Sequence, residues 1–388
     1  MENNNKPQRG VYVPEAAMAT AQERKLGRAI ASSTGRARRA HLVRYLQSFA
    51  AKIVAARAAV SGPLEHPEHL AKVSPWIGSA EPVKVQDIPK PDGGTRRIYS
   101  FGPEWRTIQR LLLNALNHAG PRPHSRDEVV QTVLARLEKR PAYCTEIDIV
   151  DCYGSVAHNP TTISSFTGLP AQVVSTLFCD AINVEDGGKH VSSFLITDGF
   201  PGSKVAKPRL GLPQGSIVSP AIVERLLTPL LELLPQGKVV RYVDNFLIMA
   251  DSQEEAVSIL SALGDALAHH PAGPFSGKVK AKYAPGDTVV FLGYAIAPSS
   301  GGCSVEPAPG KLARFEDRTI KAMEGAEANP HQCLRRLARI RRSIAGLPSG
   351  FRLWPDGPVY AREWLDCLES WFPNELVQHP TQMAKKSQ

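Results

Sequence analysis

Two hydrophobic periodicities divide this chain into strand-like and helix-like stretches. Two short apolar runs meet within Val239–Ala250, and apolar residues recur at every second position, as in β-strands, within Val83–Phe101 and Ala142–Tyr153. They recur at helical spacing in Glu104–Ala119, and the alanine-rich segment Ala16–Val60 also favours helices because it lacks proline. This mixture of strands and helices predicts an α+β fold.

The pattern centres on Val239–Ala250, where two short apolar runs flank Asp244 and Asn245. An Asp-Asn pair between two such runs predicts a tight β-hairpin with this pair at its tip. A carboxylate at a hairpin tip stays in water at little cost and is well placed to hold a hard cation. Such a pair is also most often only a turn, so its interpretation depends on the other segments.

The strand-like segment Ala142–Tyr153 carries acidic residues among apolar ones. Alternation places Glu146 and Asp148 on one face of the predicted strand, with β-branched and aromatic residues on the other. Carboxylates on such a strand are costly to bury unless a cation meets them. The alternative is an ordinary half-exposed strand.

A loop rich in glycine and proline, Leu212–Gly215, precedes a leucine-rich helical pattern. Ser219 and Pro220 predict the N-cap and the first position of that helix. The loop therefore places the amide of Gln214 and the backbone around Gly215 beside a helix start. A loop under so many constraints usually positions a functional group, although a purely structural loop is the alternative.

A third cluster of polar residues surrounds the turn signal Pro-Asp-Gly-Gly in Val83–Phe101, which predicts a hairpin. Lys90 precedes the turn, and Arg96 and Arg97 follow it. Arginine offers a planar fork of donors, so this hairpin can close over a triphosphate. The alternative is an ordinary edge hairpin whose charges prevent aggregation.

The charge balance narrows the class of partner. The chain has 388 residues with 46 Lys and Arg against 37 Asp and Glu, a net charge of +9. That balance favours a polyanion, most simply nucleic acid, over the alternative of a merely basic soluble protein. Basic residues concentrate in Ala16–Val60 and in the arginine cluster between Arg335 and Arg342, and either region can grip a phosphate backbone or be a solvated face.

Compartment and membrane association follow from the remaining composition. No apolar run of about 18 residues occurs, so we expect no membrane span. Met1–Gly10 is polar and lacks the apolar core of a signal peptide. The six cysteines are scattered and never form Cys-x-x-Cys, so we expect a cytoplasmic protein without a disulfide framework or a zinc site.

Taken in order, these motifs resemble those of reverse transcriptases. Arg209–Ala221 is similar to the family's Gly-Leu-Pro-Gln-Gly…Ser-Pro motif, and Asp148–Val156 resembles the strand that carries the first catalytic Asp. Tyr242–Asn245 resembles the Tyr-x-Asp-Asp box, and Phe291–Tyr294 resembles the primer-grip turn.

The resemblance implies a right-hand polymerase with fingers, an antiparallel palm and a helical thumb. We expect an N-terminal helical extension and linker over residues 1–82, fingers and palm over 83–295, and a basic helical thumb over 296–388.

The family's chemistry assigns a role to each matching residue. Nucleotide addition is an in-line displacement at phosphorus served by two divalent cations, here Mg²⁺ with Mn²⁺ as the alternative. The resemblance implies that Asp148, Asp244 and the backbone carbonyl of Ile149 hold the metal. It also implies that Lys280, chosen among the lysines of this region, protonates the leaving pyrophosphate.

Substrate contacts follow from the same resemblance. It implies that Tyr153 excludes a ribose 2′-hydroxyl, which favours deoxynucleoside triphosphates. The other expected substrate-binding residues neutralise the triphosphate or line the nucleotide and template site: Lys90, Arg96, Arg97, Gln214 and Gly215.

The chain departs from the family pattern at Asn245, where a second Asp is usual. Asparagine keeps an oxygen that can coordinate but loses a full charge, so cation binding should weaken. Some RNA-dependent polymerases of negative-strand viruses resemble this arrangement, and we expect Asn245 to belong to a working catalytic set. The alternative is a catalytically silent RNA-binding scaffold.

Within the family, the chain most resembles divergent bacterial reverse transcriptases of the retron-like and antiphage-defence kinds. The expected partners are an RNA template, the DNA product and deoxynucleoside triphosphates, together with a non-coding RNA or a partner protein, and no membrane. A further alternative is template-independent or protein-primed DNA synthesis by the same palm.

Overall fold

The computed structural model of the protein describes most of the chain. The described residues are 14–60, 67–89, 94–121, 123–139, 142–186, 189–191, 211–299, 302–328 and 332–372. Lys90, Arg209, the first three residues of the Pro-Asp-Gly-Gly turn signal and the polar segment Met1–Gly10 lie outside them.

Helices account for most of the regular structure in the described residues. They are α1 (Pro14–Ala31), α2 (Gly35–Gln47), α3 (Phe49–Ala59), α4 (Pro67–Leu70), α5 (Pro103–Ala119), α6 (Arg126–Leu137), α7 (Pro160–Thr167), α8 (Ala171–Ser175), α9 (Ser219–Leu227), α10 (Gln253–Ala268), α11 (Lys311–Glu327), α12 (Cys333–Gly350) and α13 (Gly357–Trp371). Short 3₁₀ helices span Cys179–Ala181 and Thr228–Leu233.

The strands form three sheets. They are β1 (Val83–Pro89), β2 (Thr95–Ser100), β3 (Tyr143–Ile149), β4 (Val184–Asp186), β5 (Lys189–Val191), β6 (Val239–Tyr242), β7 (Asn245–Ala250), β8 (Gly277–Tyr283), β9 (Val289–Phe291), β10 (Tyr294–Ser299) and β11 (Gly302–Pro307). Their orders are β2-β1-β4-β5, β6-β7-β3-β8 and β11-β10-β9. The predicted α+β class is confirmed. Strand β1 pairs with β4 in parallel, whereas the pairs β1–β2, β3–β7, β4–β5, β6–β7, β9–β10 and β10–β11 are antiparallel.

The chain divides into two compact units. The first comprises Met1–Pro123, Ile149–Gln236 and Ser261–Lys278, and the second comprises His124–Asp148, Gly237–Leu260 and Val279–Gln388. The boundaries predicted near residues 82 and 295 follow the order of motifs along the sequence and stay a prediction.

In the first unit, α5 is the central helix. Its apolar positions recur at spacings of three and four, and Ile108, Leu111, Leu112 and Leu116 are at most 1% exposed. Helices α1, α2 and α3 pack against α5. The helix that the sequence predicts over Glu104–Ala119 is therefore confirmed.

In the second unit, α6 covers the sheet that carries β3 and β7. Val129 and Val133 of α6 share one apolar cluster with Cys144 of β3 and with Leu247 and Met249 of β7. A separate apolar cluster joins α11, α12 and α13. The first of these cores fixes the two strands whose ends carry the candidate catalytic residues.

Candidate active site

The tight hairpin predicted here is formed by β6 and β7, but its turn is shifted by one residue. Tyr242 pairs with Asn245, so the two turn residues are Val243 and Asp244. The prediction that the Asp-Asn pair forms the tip was wrong in this respect, because Asn245 is the first residue of β7. The shift leaves Asp244 in the turn and places Asn245 in β7, where it pairs with Tyr242.

This turn requires an unusual backbone conformation. Val243 has φ of 55°, a region that β-branched residues rarely adopt because their side chains clash with the backbone. Arg241, which is only 8% exposed, donates a hydrogen bond from Nη1 to the carbonyl oxygen of Val243 over 2.8 Å. We assign Arg241 a supporting role at the tip, and the sequence patterns gave no signal for it.

Asp148 and Asn245 are directly opposite each other on β3 and β7. Cross-strand partners project from the same face of a sheet, so their polar groups share one surface. Asn245 donates from Nδ2 to Oδ1 of Asp244 over 2.8 Å. The structure thus brings together three of the residues predicted to be catalytic: Asp148, Asp244 and Asn245.

Lys280 joins this group from the neighbouring strand β8. Its Nζ atom lies 3.2 Å from Oδ1 of Asp148 and donates to Oδ1 of Asn245 over 3.1 Å. Lys282 lies on the same strand but lines a different cavity of about 340 Å³. The geometry therefore favours Lys280 over Lys282 as the lysine that acts beside Asp148.

Glu146 is a further acidic residue in the cluster. Its side chain is 14% exposed, and Oε1 lies 4.0 Å from Nζ of Lys280. Burial raises the pKa of the Glu146 carboxyl, the charge of Lys280 opposes that rise, and the charge of Asp148 adds to it. The strand alternation that places Asp148 on this face also places Glu146 there.

The Leu-Pro-Gln-Gly loop belongs to the first unit and packs on the chain around Tyr153. The backbone nitrogen of Leu212 donates to the carbonyl oxygen of Tyr153 over 2.8 Å. A Cβ atom at Gly211 would lie 2.1 Å from that same oxygen. Glycine at this position lets two backbone segments touch, which fixes Tyr153 relative to the loop.

Both the backbone conformation of Gly215 and its close contact with a neighbouring strand favour glycine at this position. Its φ is 105°, and a Cβ atom there would lie 2.3 Å from the carbonyl oxygen of Tyr99. The backbone nitrogen of Tyr99 donates to the carbonyl oxygen of Gln214 over 2.7 Å. The loop is thereby tied to β2, the strand that carries Arg96 and Arg97.

The helix after this loop begins differently from the prediction. Val218 occupies the N-cap of α9, and Ser219 is the first helical residue. The predicted N-cap role of Ser219 was therefore wrong, because its hydroxyl donates to the carbonyl oxygen of Pro213 over 3.0 Å. Ser219 closes the loop on itself and so helps to hold Gln214.

The basic hairpin is formed by β1 and β2 as predicted. Arg97 is opposite Asp87 and pairs with it through Nε and Nη2, both at 3.0 Å. Arg96 is exposed. The bidentate pair gives Arg97 a structural role in this hairpin, while Arg96 presents its charge to solvent.

The turn predicted as a primer grip is a two-residue hairpin between β9 and β10. Phe291 pairs with Tyr294, and Leu292 and Gly293 have φ of 51° and 85°. Positive φ at both turn residues is the pattern of a type I′ turn. The hydroxyl of Tyr294 donates to Oδ1 of Asp127 over 2.9 Å, which anchors the turn to α6.

Known proteins share the sequence pattern of these elements. A family model described as reverse transcriptase (RNA-dependent DNA polymerase) matches residues 88–296, more than half of the chain. The chain belongs to the reverse transcriptase family. The matched residues include the Asp148 strand, the Leu-Pro-Gln-Gly loop and the Asp244 hairpin.

Several solved structures are similar to this reverse transcriptase family member. An apo telomerase from Candida tropicalis, truncated at its C-terminal domain, is 15% identical with a TM-score of 0.37, covering 60% of this chain and 56% of its own. A foamy viral protease-reverse transcriptase in complex with double-stranded DNA is 19% identical with a TM-score of 0.35, covering 62% and 39%. A Sicinivirus RNA-dependent RNA polymerase is 12% identical with a TM-score of 0.42, covering 76% and 69%.

This chain thus spans about half of the length of the first of those structures and less of the second. No curated protein matches the sequence. None of the helices in the described part of the chain combines the length and the apolar character that crossing a membrane requires.

The donor set at the hairpin fits the divalent metal that this family uses. Within the described residues, no three His, Cys, Asp or Glu side chains gather as a metal site. Mg²⁺ needs no such cage, because it binds through one or two carboxylates and completes its shell with water and substrate phosphates. Asp148 and Asp244 supply two carboxylates, and Mn²⁺ accepts the same oxygen donors.

Proposed function

We propose that this protein is an RNA-directed DNA polymerase that uses Mg²⁺ for two-metal nucleotidyl transfer. The observation that carries the proposal is the cluster of Asp148, Asp244 and Asn245 at the paired ends of β3 and β7, with Lys280 of β8 beside them. Family membership supports the same reaction.

In the proposed mechanism, the chain positions an incoming nucleotide and compensates the charge that develops at its phosphates. Asp148, Asp244 and the carbonyl oxygen of Ile149 would hold Mg²⁺, which when bound supplies positive charge to the phosphate oxygens. Lys280, whose Nζ lies beside Asp148, gives a proton to the departing pyrophosphate. Arg96 adds charge to the triphosphate from the basic hairpin.

Asn245 has two functions in this scheme. Its amide donates to Asp244, which orients that carboxylate without the repulsion that two adjacent carboxylates would create. Its oxygen, which accepts from Lys280, holds the lysine beside Asp148. The missing charge weakens the cation site, and a higher metal concentration compensates for it.

Tyr153 and Gln214 would select the substrate. We assign Tyr153 the exclusion of a ribose 2′-hydroxyl, which makes deoxynucleotides the preferred substrates. Gln214 and Gly215 would line the site for the nucleotide and template. The contacts of Gly211 and Gly215 with neighbouring backbone support this proposal, because they give the loop little freedom to move.

The proposed partners are an RNA template, its DNA product and either a non-coding RNA or a partner protein. For the biological role we propose antiphage defence in bacteria, supported by the departure from the usual family box at Asn245. Phage plating on cells that carry the wild-type gene or Asp244→Ala tests that role. Equal plaque counts on both strains would contradict it.

The reaction is tested by incubating the purified protein with each labelled deoxynucleotide, in Mg²⁺ or Mn²⁺, with and without RNA. Incorporation that requires RNA and copies its sequence is the expected result. Incorporation of the same nucleotides without RNA would identify template-independent or protein-primed synthesis. RNA binding without incorporation under any condition would identify a catalytically silent scaffold.

A further inference from the structure

A large share of the positive charge of this protein lies in its first three helices. Helices α1, α2 and α3 contain nine Lys and Arg residues, against the carboxylates of Glu15 and Glu23. Their net charge of +7 compares with +9 for the whole chain, so the remaining residues are close to neutral. These helices are therefore one of the two main sources of the preference for a polyanion that the composition predicts, the other being the arginine cluster between Arg335 and Arg342.

Glu23 does not neutralise the exposed cations. It is 7% exposed, and its Oε1 accepts a hydrogen bond from the hydroxyl of Tyr45 over 2.6 Å. The same oxygen lies 2.8 Å from Nε2 of His118 on α5. Glu23 is thus committed to joining α1, α2 and α5 and leaves the surface cations uncompensated.

The cations themselves lie on the solvent side of α1 and α2. The exposed ones on these two helices are Arg24, Lys25, Arg28, Arg36, Arg39 and Arg44. Within the part of the chain that the structure describes, none of these six forms an ion pair with a carboxylate. Spacings of three and four residues place Arg24 with Arg28, and Arg36 with Arg39, on common helix faces.

One arginine of this region has a different function. Arg38 donates from Nε to the carbonyl oxygen of Ser33 over 2.6 Å, which ties α2 to the link after α1. Its side chain is only partly exposed, so Arg38 does not belong to the exposed set. The contacts of Arg38 and Glu23 thus hold together the helices that carry the six exposed cations.

The chemistry of the surface favours phosphates over a lipid bilayer. Five of the six side chains are arginines, whose planar forks match phosphate oxygens. Membrane-surface helices need a broad apolar face, whereas Met18 and Phe49 are the large apolar side chains exposed on the described parts of α1–α3. A nucleic-acid backbone satisfies the cations and requires no apolar face.

We propose that the exposed cations of α1 and α2 form a docking surface for the phosphate backbone of a folded RNA. This surface consists of residues other than those that would catalyse nucleotide incorporation. The choice of RNA over DNA rests on the proposed function, whereas the binding of phosphates does not. Through this surface the protein would stay bound to its RNA partner whether or not synthesis occurs.

The test uses the full chain and a hairpin RNA with a stem of about 16 base pairs, the length that known duplex-RNA readers span. The variant Arg24→Gln/Arg28→Gln/Arg39→Gln removes three charges from the surface. It should bind the hairpin at least about tenfold more weakly, and the slope of log affinity against log salt should fall by about one for each lost phosphate contact. Circular dichroism confirms that the variant is folded.

The matched control, Lys72→Gln/Lys84→Gln/Arg106→Gln, removes three exposed charges from the same unit outside α1–α3. It should bind the hairpin within about twofold of the wild type and keep its salt slope. Incorporation on a preformed primer and template, at saturating concentration, should be unchanged in the docking-surface variant. Loss of hairpin binding with incorporation intact separates this proposal from the polymerase assignment, since each can fail without the other.

Three results would overturn the proposal. The docking-surface variant could bind the hairpin as tightly as the control, which would show that the cations are only solvated. Wild-type protein could bind vesicles rich in phosphatidylserine as tightly as RNA, which would identify a membrane surface. A DNA duplex of the same sequence bound as tightly as the RNA would overturn the choice of RNA.

Discussion

The ammonium group of Lys280 donates a hydrogen bond to the side-chain oxygen of Asn245 over 3.1 Å. The same amide donates to Asp244, so Asn245 connects the lysine to the turn carboxylate. An aspartate in this place could accept from Lys280 but could not donate to Asp244. The asparagine therefore changes the hydrogen-bond pattern as well as the charge of the site.

The first prediction concerns the charge at Asn245. Asn245→Asp adds a carboxylate beside Asp244, and an added charge about 4 Å from a cation at a protein surface is worth up to about 4 kcal/mol. We expect the Mg²⁺ concentration for half-maximal incorporation to fall at least about tenfold, since about 1.4 kcal/mol already gives that factor. Titration of incorporation against Mg²⁺ measures this concentration. Asn245→Ala is the control, because it removes both the side-chain oxygen and the amide donor of Asn245. An unchanged Mg²⁺ requirement in Asn245→Asp would contradict the assigned role of this position.

A second prediction concerns Lys280. If it protonates the leaving group, Lys280→Gln should lower the single-turnover incorporation rate by about 10²-fold, the lower range for general acid catalysis. Lys280→Arg should restore part of the rate because it keeps a charged donor beside Asp148. Lys282→Gln, on the same strand but facing another cavity, is the matched control and should leave the rate unchanged. Equal losses in the Lys280→Gln and Lys282→Gln variants would refute a specific role for Lys280.

The third prediction separates backbone strain from steric contact in the Leu-Pro-Gln-Gly loop. Gly215 and Gly237 both have positive φ, but only Gly215 has a backbone atom within 4 Å of an added Cβ. Gly237→Ala should cost about 1 kcal/mol of unfolding free energy through conformation alone. Gly215→Ala should cost clearly more, because the carbonyl oxygen of Tyr99 must move. Urea unfolding of the two variants compares them, and equal losses would show that the loop yields without resistance.

His270 predicts a pH dependence of stability. The ring is 6% exposed, lies 3.0 Å through Nε2 from the carbonyl oxygen of Leu226 and accepts at Nδ1 from the nitrogen of Ala272. These contacts suit a neutral ring with its proton on Nε2. Burial lowers the pKa of His270 from its usual 6.5, and the hydrogen bond with Leu226 opposes that shift.

Because the folded pKa lies below the unfolded one, the stabilisation from His270 is present above pH 6.5 and is lost as pH falls through the folded pKa. We therefore expect the unfolding free energy to decrease as the solution is acidified from about pH 7 to about pH 5. His270→Gln should remove that part of the slope. Urea unfolding at a series of pH values measures it, and identical slopes in both proteins would show that His270 does not titrate in this range.

The sequence pattern predicts the elements of this protein better than the local contacts at their ends. Alternation correctly places β3, and helical spacing correctly places α5, because each pattern reflects burial along a regular element. The helical pattern that follows Ser219 continues to Leu234, yet α9 stops at Leu227 and a 3₁₀ helix follows. Pro229 explains the change, because proline cannot donate the next hydrogen bond of an α-helix.

The candidate site shows the same limit. The motifs draw attention to Asp148 and Asp244 because their charges stand out among apolar neighbours, whereas Lys280 is chosen among the lysines of its strand only through the resemblance to reverse transcriptases. The motifs do not reveal that Val243 takes a positive φ or that buried Arg241 supports its carbonyl oxygen. Both depend on which residues pair across the hairpin, and a shift of one residue in that pairing changes the role of every side chain at the tip.

The most direct test of the account is the single-turnover incorporation of a deoxynucleotide on an RNA template by wild-type protein and by Asp148→Asn. The substitution keeps the shape of the side chain and removes the charge that would hold the metal. We expect the wild type to extend the primer and the variant to be at least about 10³-fold slower, with RNA binding and thermal stability retained in both. Equal extension by the two proteins, or none by either while both bind RNA, would contradict the assignment of this hairpin as a polymerase active site.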